Sequence, residues 1–100
     1  MENTQKLRWA TAWVVSEARI SAGMTQDQLA GFAGLATTRL RRLEHAARDT
    51  TLDDLMRIAA VVKLDPAEIV RRIGEELPRG PRKPKIPMGR PRKKTKKSRS

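Results

Sequence analysis

The sequence predicts an all-α fold, a compact five-helix bundle followed by a disordered basic tail. Apolar residues recur at helical spacing along the first 78 residues, and no segment shows the apolar–polar alternation of a strand between turns. Charge divides the chain at the same place. Residues 1–78 contain 11 basic and 11 acidic side chains, whereas residues 79–100 contain 11 basic and no acidic ones. We therefore predict a folded domain over 1–78 and a polyanion-binding tail over 79–100.

The first two helices have clear ends. The first is predicted over about residues 4–22. Thr25 is a good N-cap for a second helix over 26–33, because its hydroxyl can accept a hydrogen bond from a backbone N–H of the first turn. Gly34 ends that helix, where we expect a positive φ. The link to the third helix, residues 34–36, is too short for an antiparallel hairpin and predicts a sharp corner.

The last two helices begin with capping residues. The fourth opens at Thr51, and its inward side chains are expected to be Leu52, Leu55, Ile58, Ala59 and Val62. The fifth opens with Asp65 as cap, Pro66 at the first helical position and Glu68 three residues after the cap. Its apolar face is expected to comprise Ile69, Val70, Ile73 and Leu77. Pro78 is expected to end the ordered part, because it begins a segment with five of the six prolines.

The third helix, predicted over residues 37–45, has two unlike faces. Leu40 and Leu43 form an apolar back. The opposite face is polar and cationic without an acid, and it comprises Thr38, Arg41, Arg42 and His45, with Thr37 at its leading edge. A helix that lies in the major groove of DNA needs a buried back and a front of hydrogen-bonding, positively charged groups. The pattern therefore indicates a DNA-binding helix.

The wider spacing supports this interpretation. The pattern is Arg19-x-x-x-Gly23-Met24-Thr25-Gln26-x-x-Leu29-Ala30-x-x-Ala33-Gly34, then Leu40-x-x-Leu43-Glu44, Leu52-x-x-Leu55-x-x-Ile58-Ala59, Leu64 and Ala67-Glu68-Ile69-Val70. With this pattern, residues 12–73 resemble the phage-repressor/Cro-like (XRE-type) helix-turn-helix family. The resemblance implies a bundle whose third helix enters the major groove, and a double-stranded DNA-binding transcriptional regulator, a repressor.

The resemblance also implies roles for individual residues. Gln26 takes the place of a glutamine that contacts a phosphate or a base. Base-reading positions are occupied by Thr37, Thr38 and Arg42, and positions nearer the backbone by Arg41 and His45. Arg19 and Glu44 match a charged pair that joins the first helix to the end of the third. Because burying either charge alone is unfavourable, we expect the two to meet.

Three positions depart from the family pattern. The usual Ser or Thr cap before the third helix is Ala36, so Thr37 is the alternative cap, and capping would occupy its hydroxyl. The glycines that usually follow the third and fourth helices are replaced by Ala46 and Lys63. We expect these changes to alter local stability and not the architecture.

The tail contains a second, shorter motif, Pro87-Met88-Gly89-Arg90-Pro91-Arg92-Lys93-Lys94, which resembles an AT-hook. The candidate DNA-binding residues are Gly89, Arg90, Pro91, Arg92, Lys93 and Lys94. Proline keeps such a strip extended, and arginine suits the narrow minor groove of A·T tracts. Met88 stands where a basic residue is expected. Minor-groove reading and plain attraction to phosphates therefore remain two alternatives.

Other classes of function are disfavoured by composition. The chain has no cysteine, one histidine and no Gly-rich phosphate loop, so we expect no catalysis, no metal and no cofactor. Apolar stretches are short and interrupted by charge, and the N-terminus lacks a secretory pattern. We therefore expect no membrane association and a cytoplasmic protein. The family resemblance implies that it lies in a bacterial nucleoid or is encoded by a phage.

The predicted function is that of a sequence-preferring regulator of transcription. Two alternatives use the same fold: a nucleoid-associated silencer of A·T-rich DNA, and an antitoxin-type regulator that binds a protein partner. A domain this small contacts few base pairs, so we expect a homodimer on two half-sites. The candidate dimer surface is the apolar part of the first and fifth helices, with Trp9, Trp13, Ile73 and Leu77.

Overall fold

A computed structural model describes residues 2–81 of the chain, with side chains from residue 5 onward. Five α-helices form most of this part of the chain. The helices are α1 (Glu2–Ser21), α2 (Gln26–Ala33), α3 (Thr37–Glu44), α4 (Leu52–Val62) and α5 (Pro66–Glu76), followed by a 3₁₀ turn (Leu77–Arg79). Residues 2–81 contain no strand, so the predicted all-α class is confirmed. α1 packs on α5 and α3, while α2 packs on both α3 and α4.

α2 and α4 both begin with a capping box. Thr25 Oγ1 accepts from Gln28 N at 3.1 Å, and Gln28 Oε1 accepts from Thr25 N at 2.9 Å. In α4, Thr51 Oγ1 accepts from Asp54 N at 3.0 Å, and Asp54 Oδ2 accepts from Thr51 N at 3.2 Å. Each box satisfies two backbone N–H groups that a helix start otherwise leaves without a partner.

The start of α5 is only partly as predicted. Asp65 Oδ1 accepts from Ala67 N at 2.9 Å, so Asp65 is the cap. Glu68 does not complete a box, because its carboxylate accepts hydrogen bonds from Arg71 and Arg72 instead. The arginines lie three and four residues further along, within reach on the same helix face.

Positive φ angles end α2 and α4 and follow α3. Gly34 has φ 73°, as predicted. Ala46 and Lys63 keep the left-handed conformation at φ 59° and 62°, although neither is glycine. That conformation costs a residue with a Cβ about 1–2 kcal/mol. At the start of α3, Ala36 is the N-cap and no side chain caps the helix, so the expected capping by Thr37 is wrong.

The core consists of two clusters joined by Leu55. One cluster, from α1 to α4, comprises Val15, Leu29, Ala30, Ala33, Leu40, Leu43 and Ile58. The other, from α1, α4 and α5, comprises Ala10, Val14, Ala59, Ile69 and Ile73. Leu40 and Leu43 are 0% and 1% exposed, so the predicted apolar back of the third helix is buried.

Two residues predicted to face inward lie at the surface. Leu52 is 70% exposed and Val70 is 52% exposed. At the first helical position of α4, Leu52 lies on the outer flank, and Asp54 takes the inward position of that turn. Val70 follows the buried Ile69 by one residue, which turns it away from the core.

Most of the residues expected from the sequence to form the dimer surface are instead buried in the core or packed against it. Ile73 is buried in the second cluster, and Trp13 and Leu77 pack against that cluster. Trp9 is half-buried. The closest packing on α1 is made instead by smaller residues such as Ala10 and Val14, which let α5 approach.

The described chain continues past Pro78 to residue 81. The AT-hook-like motif and the rest of the tail, 82–100, lie outside the described residues. Of the helices within residues 2–81, none combines the length and apolar content that crossing a bilayer requires.

Candidate nucleic-acid interface

A polar stripe runs along the exposed side of α3. Thr38, Arg41, Arg42 and His45 are exposed, and Thr37 is partly buried at the start of the helix. The four exposed residues are spaced i, i+3, i+4 and i+7, which places them on one helix face. The structure therefore brings the predicted α3 residues together on the side opposite the two buried leucines. We call this stripe, residues 38, 41, 42 and 45, the recognition face.

The two arginines of the recognition face have different surroundings. Arg42 has no ion-pair partner among residues 5–81. Arg41 Nη2 lies 4.0 Å from Asp27 Oδ1 of α2, so an acid from the neighbouring helix stands at the edge of the face. The sequence pattern of α3 alone gave no sign of this acid.

A third arginine of α3, Arg39, points away from the recognition face. Its Nε donates to Asp54 Oδ1 and its Nη2 to Asp54 Oδ2, both at 3.0 Å. Burial would raise the pKa of Asp54, but the hydrogen bonds from Arg39 and Thr51 outweigh it and lower the pKa below its ordinary value. The hydrogen bond to Asp54 in turn raises the pKa of Arg39. The pair joins α3 to α4 and fixes the direction of the recognition face.

Glu44, at the end of α3, accepts hydrogen bonds from two other helices. Its Oε2 accepts from Arg19 Nε at 2.8 Å, and its Oε1 accepts from Arg19 Nη2 at 3.0 Å and Ser16 Oγ at 2.9 Å. Arg19 Nη1 donates to the carbonyl of Met24 at 2.8 Å. Glu44 is 6% exposed, so its charge is buried with a full set of donors. The residues expected to pair, Arg19 and Glu44, thus meet in the structure.

Ser16 is the member of this network that sequence reasoning missed. It lies three residues before Arg19 and so shares its face of α1. That spacing is the signal that could have identified it, since a buried carboxylate needs more donors than one arginine supplies.

Gln26 is held by the same carboxylate. Its Nε2 donates to Glu44 Oε1 at 3.1 Å. Because a carboxylate only accepts, the NH₂ end of the amide must face Glu44, and this leaves one N–H and Oε1 for another partner. Gln26, Thr25, Gly23 and His45 help to line an open cavity of about 450 Å³ between the start of α2 and the end of α3. Gln26, the α2 residue expected to contact DNA, thus lies beside the end of the recognition face.

Arg57 of α4 supports the other end of α2. Its Nη1 donates to the carbonyl of Ala33 at 3.3 Å, and its Nε donates to Asp53 at 2.9 Å. A Cβ on Gly34 would lie 3.0 Å from that Nη1. The glycine therefore allows both the positive φ and the close approach of the guanidinium.

Within residues 2–81, no group of three or more His, Cys, Asp or Glu side chains is arranged to hold a metal ion.

A helix-turn-helix family model matches residues 15–69, more than half of the chain. The chain belongs to the XRE-type helix-turn-helix family of DNA-binding regulators. The resemblance seen in the sequence is thereby confirmed. No curated protein matches the chain.

Solved structures share the fold. The restriction-modification controller protein C.AhdI from Aeromonas hydrophila has a TM-score of 0.60 and 22% identity, over 62% of this chain and 94% of that chain. The clp gene regulator ClgR from Corynebacterium glutamicum has a TM-score of 0.68 and 18% identity, over 72% and 77%. The restriction-modification controller protein C.Esp1396I, solved as a tetramer with its natural 35 base-pair operator, has a TM-score of 0.65 and 24% identity, over 71% and 93%.

Proposed function

We propose that this protein is a local repressor that binds an operator in double-stranded DNA with α3 in the major groove. The observation that carries the proposal is the recognition face, an uninterrupted polar and cationic stripe backed by the buried Leu40 and Leu43. An α-helix with its side chains is about 10–12 Å across, close to the width of the major groove of about 12 Å, so α3 can lie in the groove.

Three side chains of α3 are suited to reading bases. Arg42, without an ion-pair partner among the described residues, can donate two hydrogen bonds to guanine O6 and N7. Thr38 is exposed on the same face and can donate to a base or accept from one. Thr37 does not cap the helix, so its hydroxyl is not occupied by the backbone.

The remaining contacts are proposed to be with phosphates. Gln26 is the first residue of α2, where backbone N–H groups and the helix dipole favour an anion. Its second amide N–H supplements them, since Glu44 already occupies the first. Arg41 and His45 lie on the recognition face near α2, where Arg41 can supply charge and His45 a hydrogen bond to the same strand of backbone.

We propose that the protein binds as a homodimer through a strip that includes α1 and α5, as expected from the sequence, but with other exposed side chains and with α4 as well. Of the five large apolar side chains that are exposed within residues 5–81, four are Leu7, Leu52, Met56 and Val70. Leu7 and Val70 line a cavity of about 420 Å³ between α1, α4 and α5, together with Leu55. Leu52 and Met56 are four residues apart on α4, and Leu55 lies beside both, so they extend the same strip.

The rim of this strip suits a second copy of the chain. Arg8 and Asp49, which form an ion pair at 2.8 Å, both line the cavity. A two-fold interface places each surface against itself, so it needs both signs of charge on its rim. Light scattering of the full chain with a duplex carrying two half-sites is expected to show a dimer. Val70→Glu should reduce it to a monomer, and Phe32→Glu, on the exposed side of α2, should not.

The tail is proposed to lengthen the contact with DNA. Residues 79–100 add 11 positive charges to a domain whose charges balance. An extended chain of this length reaches about 70 Å at about 3.1 Å per residue, well beyond the footprint of the domain. We propose that it follows the backbone, and that Gly89, Arg90 and Pro91 enter the minor groove where the sequence is A·T-rich.

Selection from a library of random duplexes with the full chain tests the function. We expect enrichment of a two-fold symmetric sequence with half-sites about one helical turn apart. The double variant Thr38→Ala, Arg42→Ala is the matched control, and it should lose the enriched sequence while it still folds. Enrichment of A·T content without a motif would instead indicate a silencer, and no retained DNA at all would contradict both.

A further inference from the structure

Asp27 of α2 is an exposed acid beside the recognition face. Its Oδ1 lies 4.0 Å from Arg41 Nη2, and its side chain is 75% exposed. Among the described residues, this is the ion pair that joins α2 to α3. Arg41 itself is 57% exposed, so the pair lies at the surface that the proposed function turns toward DNA.

The start of α2 does not depend on the carboxylate of Asp27. The capping box is completed by Thr25 and Gln28, and it leaves Asp27 out. An acid in the first turn still gains a small stabilisation from the helix dipole, which is a purely structural reason for its presence. The helix dipole does not, however, require the carboxylate of Asp27 to lie beside Arg41. A functional explanation for the ion pair is therefore needed.

We propose that Asp27 limits the DNA affinity of this protein by competing with phosphate for the guanidinium of Arg41. The inference rests on the proposed function, in which Arg41 binds the backbone. A carboxylate and a phosphate offer the same kind of acceptor to one guanidinium, so Arg41 must leave Asp27 to bind DNA. Asp27 then remains within one Debye length, about 8 Å, of the phosphates and is repelled by them.

The test compares Asp27→Asn with the parent full-length chain on a mixed-sequence duplex of 30 base pairs across a salt series. We expect affinity about 2- to 5-fold higher at low salt, the size of an exposed ion pair. The slope of log affinity against log salt should steepen by up to about 0.9, because Asp27 no longer offsets the charge that Arg41 brings to a phosphate. Glu75→Gln is the matched control. It removes an exposed acid that pairs with Arg71 on α5, 59% exposed against 75% for Asp27, and it accounts for the change in net charge alone.

A second comparison tests whether Asp27 acts through Arg41. In an Arg41→Gln background, Asp27→Asn should gain no more than Glu75→Gln does. An undiminished gain in affinity from Asp27→Asn in the Arg41→Gln background would overturn the proposal. Equal affinities of Asp27→Asn and Glu75→Gln in the parent chain would overturn it as well. Asp27→Ser, which also lacks the charge, should reproduce the gain if the asparagine variant melts early. A parent chain that binds no duplex would instead remove the proposed function itself.

Discussion

Arg39 of α3 and Asp54 of α4 form a two-pronged ion pair, with both nitrogen–oxygen distances at 3.0 Å. Asp54 is 1% exposed, and its Oδ2 also accepts from Thr51 N, so the carboxylate is a buried junction between a helix cap and a neighbouring helix. The consequence for function is that Arg39 orients α3 and does not contribute to the recognition face.

Asp54→Asn is expected to lower the free energy of unfolding by about 3 kcal/mol. Breaking a buried pair costs about 3–5 kcal/mol, and the lower end applies because Arg39 is one third exposed. Asp53→Asn removes the adjacent, exposed acid that pairs with Arg57, and it should cost less than about 1 kcal/mol. Urea denaturation of both variants measures the difference. Equal losses would mean that the Arg39–Asp54 pair does not hold the two helices.

Stability is expected to fall as the pH drops below about 4. The pKa of Glu68 is lowered to about 2 by hydrogen bonds from Arg71 and Arg72, and the pKa of Asp54 is also lowered. Groups whose pKa falls on folding stabilise the protein above their unfolded pKa, about 3.9–4.3, and that stabilisation is lost as pH falls through the folded value. Unfolding free energies at pH 2–6 check this. The pH dependence of Glu68→Gln should be shallower than that of the parent, and an identical curve would contradict the lowered pKa of Glu68.

Lys63→Gly is expected to stabilise the protein by about 0.5–1 kcal/mol. Lys63 ends α4 at φ 62°, a conformation that costs a residue with a Cβ about 1–2 kcal/mol. Glycine avoids this cost, but the greater conformational freedom of its unfolded chain offsets about 0.5–1 kcal/mol of the gain. Ala60→Gly is the control. It places the same residue at an exposed position inside α4, where it should destabilise by about 1 kcal/mol. Thermal melts that move both variants in the same direction would refute the strain at Lys63.

Arg42→Ala is expected to weaken binding to the selected sequence by about 1–3 kcal/mol and to leave the fold intact. The lost affinity is that of a two-pronged contact between Arg42 and guanine. The fold is unaffected because the exposed side chain of Arg42 forms no ion pair within residues 5–81. Arg71→Ala on α5 is the charge-matched control. Fluorescence anisotropy on selected and random duplexes measures both. If the loss is the same on the two duplexes, Arg42 contacts phosphate and reads no base.

Removal of residues 82–100 is expected to leave the domain folded and to weaken binding to all DNA. The cut keeps Arg79, which lies in the 3₁₀ turn, and removes ten basic side chains. The slope of log affinity against log salt should flatten by several units, at about 0.9 for each phosphate released. Arg90→Ala with Arg92→Ala separates the alternatives for the tail, since a minor-groove contact loses more on A·T-rich than on G·C-rich duplexes. An unchanged salt slope after truncation would mean that the tail does not bind DNA.

Features that depend on neighbours in sequence could be predicted. Thr25, Thr51 and Asp65 each cap a helix, as expected, because a capping hydrogen bond spans only two or three residues. The positive φ of Gly34 follows from the same local geometry. The apolar and polar faces of α3 could also be predicted, since the spacing of their residues depends only on the pitch of the helix.

Features that depend on which helices meet could not be predicted from spacing alone. Leu52 and Val70 are apolar residues on amphipathic helices, and only the angles between α1, α4 and α5 decide that they lie at the surface. The acid beside Arg41 comes from α2, and no pattern within α3 contains it. Ser16 shares a face of α1 with Arg19, but only the packing of α1 on α3 shows that its hydroxyl reaches Glu44.

The sequence by itself determined five helices, a polar and cationic stripe on the third, and a tail that holds the excess positive charge. These properties follow from hydrogen bonds and periodicities that close within a few residues, and from counting charges. Only the tertiary structure decided that Arg39 pairs with Asp54 of α4, and that Glu44 holds Gln26 and Ser16 in addition to Arg19. The physical reason is that a charged side chain takes its partner from whatever helix packs beside it, and packing joins residues far apart in the chain.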